Sequence, residues 1–433
     1  MKTASFMLVT MVFQTLYFLV DLYWVGRLGK EAVAAVAIAG NLMFVVLAVT
    51  QMLGVGTTAM VSHAVGRKDR DTARRVFNQS QVLSVLVGLL FFALAMAGRG
   101  VYARTLAADS TTAALAMAYL TWFIPAMSMQ FALVAMGAAL RGTGNFKPGM
   151  VVQTATVLIN ILLAPVLMFG WGSGRPLGVA GAAIASLIAV TIGVGWMSKY
   201  FLKADAFLQF DETAKTPDVT LWKKMLGIGL PAGAEFGLMA VYLLVVYIIS
   251  RPFGAGAQAG FGIGLRIIQA LFMPVVALGF AVAPVAGQNF GARQGARVIQ
   301  TFREGALMAS GAMLVCGVIC HLIPGTLIGI FSNDPEVIAV GSEYLRISSW
   351  NFMASGVIFV ASSTFQAMGN TMPALLTSTL RILLVAIPAF VISGWPGFDL
   401  RWIWYLSVGS IVLQMTASLL LLRREFRLRL VDA

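Results

Sequence analysis

Two carboxylates stand inside long apolar segments of this chain, where charged side chains are otherwise rare. Asp21 lies in the first of these segments and Glu235 in the seventh, whereas the other acidic residues lie in loops, at segment ends or in the tail. A carboxylate far from the bilayer surface is costly unless it is paired, hydrated or protonated, so each is a candidate functional group. One such group in each half of the chain indicates a carrier that couples transport to a cation.

Three polar residues of the first segment share a helix face. Gln14, Tyr17 and Asp21 are spaced three and four residues apart, which places them on one side of a helix. Loss of hydration among apolar turns favours the protonated form of a carboxyl group, which makes Asp21 a candidate proton carrier. The alternative for Asp21 is a structural hydrogen bond near the end of the segment, because Gly26 is only five residues away. Gln14 and Tyr17 are predicted to face the substrate cavity.

Asn160 is a lone amide in another apolar segment. It is a candidate partner of Asp21 in cation coupling. The alternative is a hydrogen bond that joins two helices, worth about 1 kcal/mol. Tyr119 and Ser186 are further polar candidates inside apolar segments.

Glu235 follows Pro231 by four residues and lies towards the cytoplasmic end of the seventh segment. Its interpretation as a functional carboxylate competes with a simpler one. A carboxylate at that depth can also reach the membrane surface or pair with Lys223 or Lys224.

Arg266 and Arg381 are the candidate counter-charges within the apolar segments. Either guanidinium can line a cavity or neutralise Glu235, and either can instead extend along apolar surface to the membrane boundary. Tyr242 joins Arg266 among the predicted residues of the substrate cavity. Among the 23 methionines and 28 phenylalanines, Met117 and Met129 are candidates for an adaptable apolar surface that accepts varied ligands.

No motif for a cofactor or a resident metal ion occurs in the sequence. It has no phosphate-binding loop, nucleophile elbow, His-Glu-x-x-His segment or Cys/His cluster, and no enzyme activity is predicted. Cys316 and Cys320 share a helix face and are predicted to be core residues rather than a disulfide or metal pair. His63 and His321 have no second ligand on their helix faces. The expected ion is therefore the transported coupling ion, H⁺ or Na⁺.

The composition requires a bilayer around these residues. Of the 433 residues 59% are hydrophobic and 11% charged, and the mean hydropathy is +0.87. Runs of about 20 apolar residues indicate membrane-spanning helices. The predicted fold is an all-α integral membrane protein with twelve spans, namely 5–26, 36–63, 78–98, 112–138, 149–170, 179–200, 225–250, 258–286, 305–324, 342–368, 374–394 and 402–422.

The net charge of +13 is interpreted as basic loops on one side of the membrane and not as a nucleic-acid surface. Most lysines and arginines fall on the side that holds both termini, which predicts cytoplasmic termini in the inner membrane. A polar stretch in mid-chain is predicted to link two lobes. The predicted division is 1–201 for the first lobe, 202–221 for a cytoplasmic linker and 222–433 for the second lobe with a short basic tail.

The two halves are related at a constant offset of 225 residues. Tyr119 corresponds to Tyr344, and Tyr17 corresponds to Tyr242; further pairs are Gly144 with Gly369, Asn145 with Asn370 and Pro148 with Pro373. Six spans is an even number, so both copies enter the membrane in the same sense. Parallel repeats of this kind favour alternating access over a channel or a receptor.

The chain resembles the multidrug and toxic compound extrusion (MATE) family over nearly its whole length. The motifs are Asp21 with Trp24-Val-Gly-Arg-Leu-Gly29, Arg141-Gly-Thr-Gly-Asn145, Gly287-Gln-Asn-Phe-Gly-Ala-Arg293, Gly369-Asn370 and Leu230-Pro231. The resemblance implies a V-shaped antiporter that expels organic, often cationic, compounds in exchange for H⁺ or Na⁺.

The first half is similar to the bacterial DNA-damage-inducible-F-like branch of that family. This likeness implies a cation-coupling network of Asp21, Tyr119, Asn160 and Ser186. The branch often has an aspartate in the fifth span where this chain has Ala164. Another bacterial branch has a seventh-span glutamate eight residues after the proline and a tenth-span aspartate. Here the glutamate follows Pro231 by four residues, and the tenth span carries Ser362-Ser-Thr364.

The resulting prediction is a monomeric inner-membrane antiporter for small amphipathic organic compounds, with H⁺ preferred over Na⁺. A sodium site needs several oxygen ligands, whereas protonation needs one accessible carboxylate. One alternative is a flippase for a lipid-linked precursor, which would need a basic cavity where only Arg266 and Arg381 are available. The other alternative is a membrane-embedded transferase, which would need clustered histidines or paired acids.

Overall fold

The computed structural model describes residues 23–107, 109–171, 174–203, 207–211 and 216–430, and these residues form helices and turns. The first predicted span reaches this part only at its end, where residues 23–26 are helical. The helices of the first half are α1 (Lys30–Gly66), α2 (Arg70–Leu106), α3 (Ser110–Thr143), α4 (Lys147–Phe169) and α5 (Val179–Phe201). Those that follow are α6 (Val219–Ser250), α7 (Gly254–Gly291), α8 (Gly295–Leu322), α9 (Pro324–Gly329), α10 (Pro335–Ser348), α11 (Phe352–Ala367), α12 (Met372–Ser393) and α13 (Arg401–Arg429).

Ten helices in the described part of the chain are long and apolar enough to cross a membrane. Their outward faces carry large apolar side chains, as on α2, where Leu86, Leu89, Leu90 and Leu94 are all exposed. A soluble protein rarely exposes so continuous an apolar surface, whereas lipid tails cover it without cost. The predicted all-α membrane fold is confirmed.

The tenth predicted span is not one helix. Residues 342–368 were expected to be continuous, but a 3₁₀ turn over Ser349–Asn351 separates α10 from α11. The Ser349 hydroxyl donates to the Arg346 carbonyl at 2.6 Å, and the Asn351 amide donates to the Ser407 hydroxyl on α13 at 3.4 Å. Short polar side chains compete in this way with the backbone hydrogen bonds of a helix. The tenth predicted span therefore consists of parts of two helices joined by this turn.

Side chains and glycines set the helix ends between spans. Asp109 caps α3 by accepting from the Thr112 backbone at 2.7 Å, and these hydrogen bonds to Thr112 lower the pKa of the carboxyl. At the other end of α3, Gly144 has φ of 81°, a left-handed conformation that glycine adopts without strain. The left-handed conformation of Gly144 therefore ends α3.

The chain divides into two compact units, Met1–Gly233 and Ala234–Ala433, and the border falls inside α6. The predicted lobe and linker boundaries at residues 201 and 222 stay a prediction. In the second unit, Phe261 of α7 stacks on Trp404 of α13 with ring centroids 5.3 Å apart. Tyr344 of α10 meets both rings edge-on, at 5.0 and 4.7 Å, so three helices share one aromatic core.

Two glycines let α1 and the start of α6 touch through their backbones in the first unit. A Cβ atom on Gly56 would overlap the Met225 carbonyl oxygen, and one on Gly229 would overlap the Met52 carbonyl oxygen. Small residues at such crossings allow helices in a membrane to pack closely. The first turns of α6 are therefore part of the first unit.

The described part of the polar stretch after α5 is fastened to α2. Asn78 and Gln79 are 0% and 1% exposed, and each side-chain amide acts as both donor and acceptor towards the main chain of this stretch. A buried side-chain amide whose donor and acceptor both bond to the main chain of a segment holds that segment in place. The bonds are Asn78 Nδ2 to Gln209 O at 2.9 Å, Asp211 N to Asn78 Oδ1 at 3.3 Å, Gln79 Nε2 to Thr216 O at 2.8 Å and Asp218 N to Gln79 Oε1 at 2.9 Å.

An ion pair also joins α2 to the end of this stretch. Arg75 contacts Asp218 at 2.6 Å, and Asp218 also accepts from the Leu221 backbone at 3.0 Å at the start of α6. The Leu221 backbone hydrogen bond and then the Arg75 charge lower the pKa of Asp218. The carboxylate is therefore ionised at neutral pH, where it can hold both partners.

Replacing both Asn78 and Gln79 by alanine is expected to release this stretch. Each substitution removes two hydrogen bonds to this stretch, of about 1 kcal/mol each, so trypsin should cut after Lys203 or Lys215 about tenfold faster or more. Limited digestion of the purified protein measures the rate. Gln81→Ala is the matched control, since Gln81 is buried on the same helix but donates to Ser80. Equal cleavage rates for the double variant and the control would contradict the attachment.

Candidate ion-coupling site

Glu235 lies on α6, one turn after Pro231, and receives hydrogen bonds from two other helices. The Ser378 hydroxyl of α12 donates to Glu235 Oε1 at 3.0 Å, and the Ser362 hydroxyl of α11 donates to Oε2 at 3.2 Å. Hydroxyl donors stabilise a carboxylate without adding a compensating charge. Glu235 is therefore a partly buried carboxylate held by neutral groups inside the second unit.

Gln414 of α13 extends this arrangement by one residue. Its Nε2 donates to the Ser378 oxygen at 3.2 Å, so Gln414, Ser378 and Glu235 form a chain of hydrogen bonds across three helices. Gln414 is 4% exposed, and its Oε1 atom has no hydrogen-bond partner in the part of the chain that the structure describes. One turn along, the Ser418 hydroxyl donates to Thr377 Oγ1 at 3.2 Å and joins the same two helices separately.

Sequence reasoning missed Ser378 and Gln414. Ser362 was noted only as a residue that occupies the region of a missing aspartate. The available signal was weak, because a serine in the eleventh span and a glutamine in the twelfth are polar groups in apolar helices. Such residues commonly join helices, and only the packing reveals that these two converge on a carboxylate.

No basic group neutralises Glu235 among the described residues. Its carboxylate forms no ion pair within 4.0 Å, and Lys223, Lys224 and Arg266 are all exposed. The guanidinium of Arg381 lies over the Tyr242 ring, 5.7 Å from its centroid. Within the second unit this geometry does not support pairing of Arg266 or Arg381 with Glu235, and pairing with Lys223 or Lys224 stays a prediction. Tyr242 and Arg381 are instead brought together by a cation–π contact.

The first unit holds part of the other predicted coupling network. Asn160 Nδ2 of α4 donates to the Ser186 hydroxyl of α5 at 2.8 Å, and that hydroxyl donates to the Ala182 carbonyl at 3.2 Å. Tyr119 of α3 is buried and stacks on Phe123 with ring centroids 5.3 Å apart. The structure thus brings Asn160 and Ser186 into direct contact.

Three predicted site residues, Asp21, Gln14 and Tyr17, lie outside the described residues. The network around Asp21 therefore stays a prediction. The two predicted cavity methionines are half-buried on α3: Met117 packs against the core of the first unit, and Met129 accepts a hydrogen bond from Thr191 at 3.6 Å. Their assignment to a substrate surface also stays a prediction.

Cys316 and Cys320 are both free thiols. Cys320 is fully buried, and the Cys316 sulfur lies 3.8 Å from the Leu271 carbonyl oxygen of α7. The prediction that they pack in the core is confirmed for Cys320. Within the described ranges no cluster of histidine, cysteine and acidic residues could hold a metal ion.

Comparison with known families identifies the family of the chain. The family model described as MatE matches residues 7–166 and again residues 231–391. The chain belongs to the MatE family. The two matched segments begin 224 residues apart and end 225 residues apart, which confirms the predicted repeat. It is a membrane transporter and not an enzyme.

Curated relatives of this MatE protein match it almost from end to end. It is 26% identical over 405 residues to the probable multidrug resistance protein YoeA of Bacillus subtilis, covering 92% of this chain and 87% of that protein. It is 25% identical over 411 residues to the probable multidrug resistance protein NorM of Thermotoga maritima, covering 94% of this chain and 88% of the relative.

A solved structure shares the fold of this MatE protein. It is described as the outward-facing conformation of a multidrug resistance MATE family transporter of the MOP superfamily. The TM-score is 0.91 at 22% sequence identity, with 98% of this chain and 94% of the other covered. At that identity the likeness concerns the fold alone.

Proposed function

We propose that this MatE protein exports small amphipathic, often cationic, organic compounds in exchange for a cation, with H⁺ preferred over Na⁺. Relatives that cover most of the chain are named multidrug resistance or multidrug export proteins, which supports the substrate class. The parallel repeat supports alternating access within a multi-pass protein of the inner membrane. The excess of basic residues beside both termini supports a cytoplasmic location for the termini.

The setting of Glu235 is the observation that carries the coupling proposal. The carboxylate lies inside a spanning helix, it has two hydroxyl donors, and no cation pairs with it in the described part of the protein. A carboxylate without a counter-charge in an apolar setting can lower its cost by binding a proton. A group that binds a proton on one side of the membrane and releases it on the other couples transport to the proton gradient.

The same geometry supports H⁺ over Na⁺. The only oxygen groups that contact Glu235 among the described residues are two serine hydroxyls. A sodium ion would need several oxygen ligands, and no second carboxylate of the described residues lies beside Glu235 to add to them. A proton needs a single carboxylate oxygen.

Transport by the purified protein in proteoliposomes, with pH and Na⁺ gradients imposed separately, tests this proposal. Efflux of a cationic dye should follow the pH gradient and change little with a Na⁺ gradient. Transport that requires Na⁺ and ignores pH would overturn H⁺ coupling. Absence of dye transport under either gradient would overturn multidrug export and leave the lipid-precursor flippase to be tested with a lipid-linked diphosphate.

Asn160→Ala is expected to lower pH-driven efflux about fivefold, whereas Asp21→Asn should abolish it because an amide cannot titrate. The Asn160 amide would orient the first-unit network without titrating, and its hydrogen bond to Ser186 is worth about 1 kcal/mol. The dye assay measures the effect, and Asn145→Ala is the control because that amide bonds Tyr200 outside this network. Wild-type transport with a lowered melting temperature would instead favour a purely helix-joining role for Asn160.

A further inference from the structure

Gln414 carries an unused hydrogen-bond acceptor beside the candidate coupling site. Its Oε1 is buried and has no partner among the described residues, while Nε2 of the same amide donates to Ser378. Leaving a buried polar atom unsatisfied costs about 1–3 kcal/mol, so proteins rarely keep one without a reason. The neighbouring hydrogen bonds supply such a reason.

In the structure these bonds run in one direction. Gln414 Nε2 donates to Ser378 Oγ, and Ser378 Oγ donates to Glu235 Oε1. An ionised carboxylate can only accept, and a serine hydroxyl has one hydrogen to donate. This direction therefore suits the charged form of Glu235, and it leaves the amide oxygen of Gln414 idle.

Protonation of Glu235 on Oε1, the oxygen that Ser378 contacts, requires the opposite direction. The carboxylic acid gains an O–H donor, for which the Ser378 oxygen is the adjacent acceptor, and the Ser378 hydrogen then needs a new acceptor. A half-turn of the Gln414 amide exchanges its two ends and offers Oε1 in place of Nε2. Every hydrogen stays on its own heavy atom, so the proton bound by Glu235 is the single addition.

We propose that Gln414 is a positioning residue whose amide reverses with the protonation of Glu235, so that the Ser378 hydroxyl is satisfied in both states. This inference rests on the proposed function, because it assumes that Glu235 binds the coupling proton. An amide carries a donor and an acceptor on the same end group, and for this reason it can serve both directions. A change in the charge of Glu235 on α6 therefore changes the hydrogen bonds between α12 and α13.

No ionisable side chain on the helices around Glu235 takes this role, so it falls to Ser378 and Gln414, which are uncharged. On α12 the nearest is Arg381, which lies over the ring of Tyr242, itself on α6. On α13 the basic residues are Arg401, more than three turns before Gln414, and those from Arg423 onwards, more than two turns after it; α11 contains no ionisable side chain. Lys223 and Lys224 at the start of α6 are exposed and form no ion pair with Glu235 in the described structure.

Infrared difference spectroscopy of the purified protein between high and low pH tests the reversal. In wild type the side-chain carbonyl band of Gln414 should move to lower frequency as the Glu235 acid band appears, because Oε1 becomes hydrogen-bonded. The shifted amide band should vanish in Gln414→Met and in Ser378→Ala. In proteoliposomes Gln414→Met should lower pH-driven efflux about fivefold, the effect of one hydrogen bond of about 1 kcal/mol.

Ser418→Ala is the matched control, since it removes the separate bond to Thr377 between the same two helices. It should lower thermal stability while the amide band shift and the efflux rate stay at wild-type values. A Glu235 acid band without any change in the Gln414 carbonyl band would overturn the reversal and leave the proposed function standing. If Glu235→Gln transports as wild type and no acid band appears, the proposed function itself fails.

Discussion

Glu235→Gln is expected to reduce pH-driven efflux of a cationic dye at least tenfold while the protein remains folded in the membrane. Glutamine keeps the shape of the side chain and can still bond Ser362 and Ser378, but it can neither bind nor release a proton. Loss of a transported proton removes the driving force and not merely a contact, so the effect should exceed that of any hydrogen bond at this site. Proteoliposomes with an imposed pH gradient measure the loss.

Glu304→Gln provides the matched control, because Glu304 is an exposed acid on α8 that accepts a hydrogen bond from the exposed Gln300. It should transport at the wild-type rate. Efflux of neutral compounds should fall less in Glu235→Gln than efflux of cationic ones, since the negative charge also attracts cations. Strong Na⁺ stimulation of wild type that disappears in Glu235→Gln would make this carboxylate a sodium ligand and would refute the H⁺ assignment.

Gly229→Val should destabilise the first unit by about 3 kcal/mol, because any side chain at this position overlaps the Met52 carbonyl oxygen of α1. A backbone atom cannot move aside as the end of a flexible side chain can, so α6 must shift away from α1. A lower melting temperature in detergent and a lower yield of membrane-inserted protein are the expected results.

Gly227→Val, two residues earlier on the same helix, is the comparison. No atom lies within 4 Å of a Cβ placed on Gly227, so this substitution carries the same helix-propensity change without the overlap. Its melting temperature should stay close to that of wild type. Equal destabilisation by the two substitutions would show that valine itself, and not the helix crossing, is the cause.

The sequence predicts best those features that depend on periodicity and composition. Apolar length predicts the spanning helices, and the offset between Tyr119 and Tyr344 predicts the repeat that the two family matches confirm. The sequence also identifies Glu235 as a candidate functional residue, because placing a single carboxylate in an apolar helix costs free energy.

The remaining features depend on contacts between residues far apart in the chain. Nothing local distinguishes Ser378 and Gln414 from other polar residues that join helices, so their convergence on Glu235 requires the packing. The break at Ser349–Asn351 was missed because its cause is partly a bond from Asn351 to Ser407, over fifty residues away. Asn78 and Gln79 resembled the polar start of a span, and only the structure shows which segment they bind.

The border between the compact units lies close to the start of the second family match. That match begins at residue 231, and the border follows Gly233, so the two positions are within about one turn of each other. Both positions are inside the continuous helix α6. An inserted residue rotates everything after it in a helix by about 100°. The polar stretch before α6 can therefore vary in length without changing this helix, whereas a single insertion at 231–234 would change by about 100° the angle around α6 between Gly229 and Glu235.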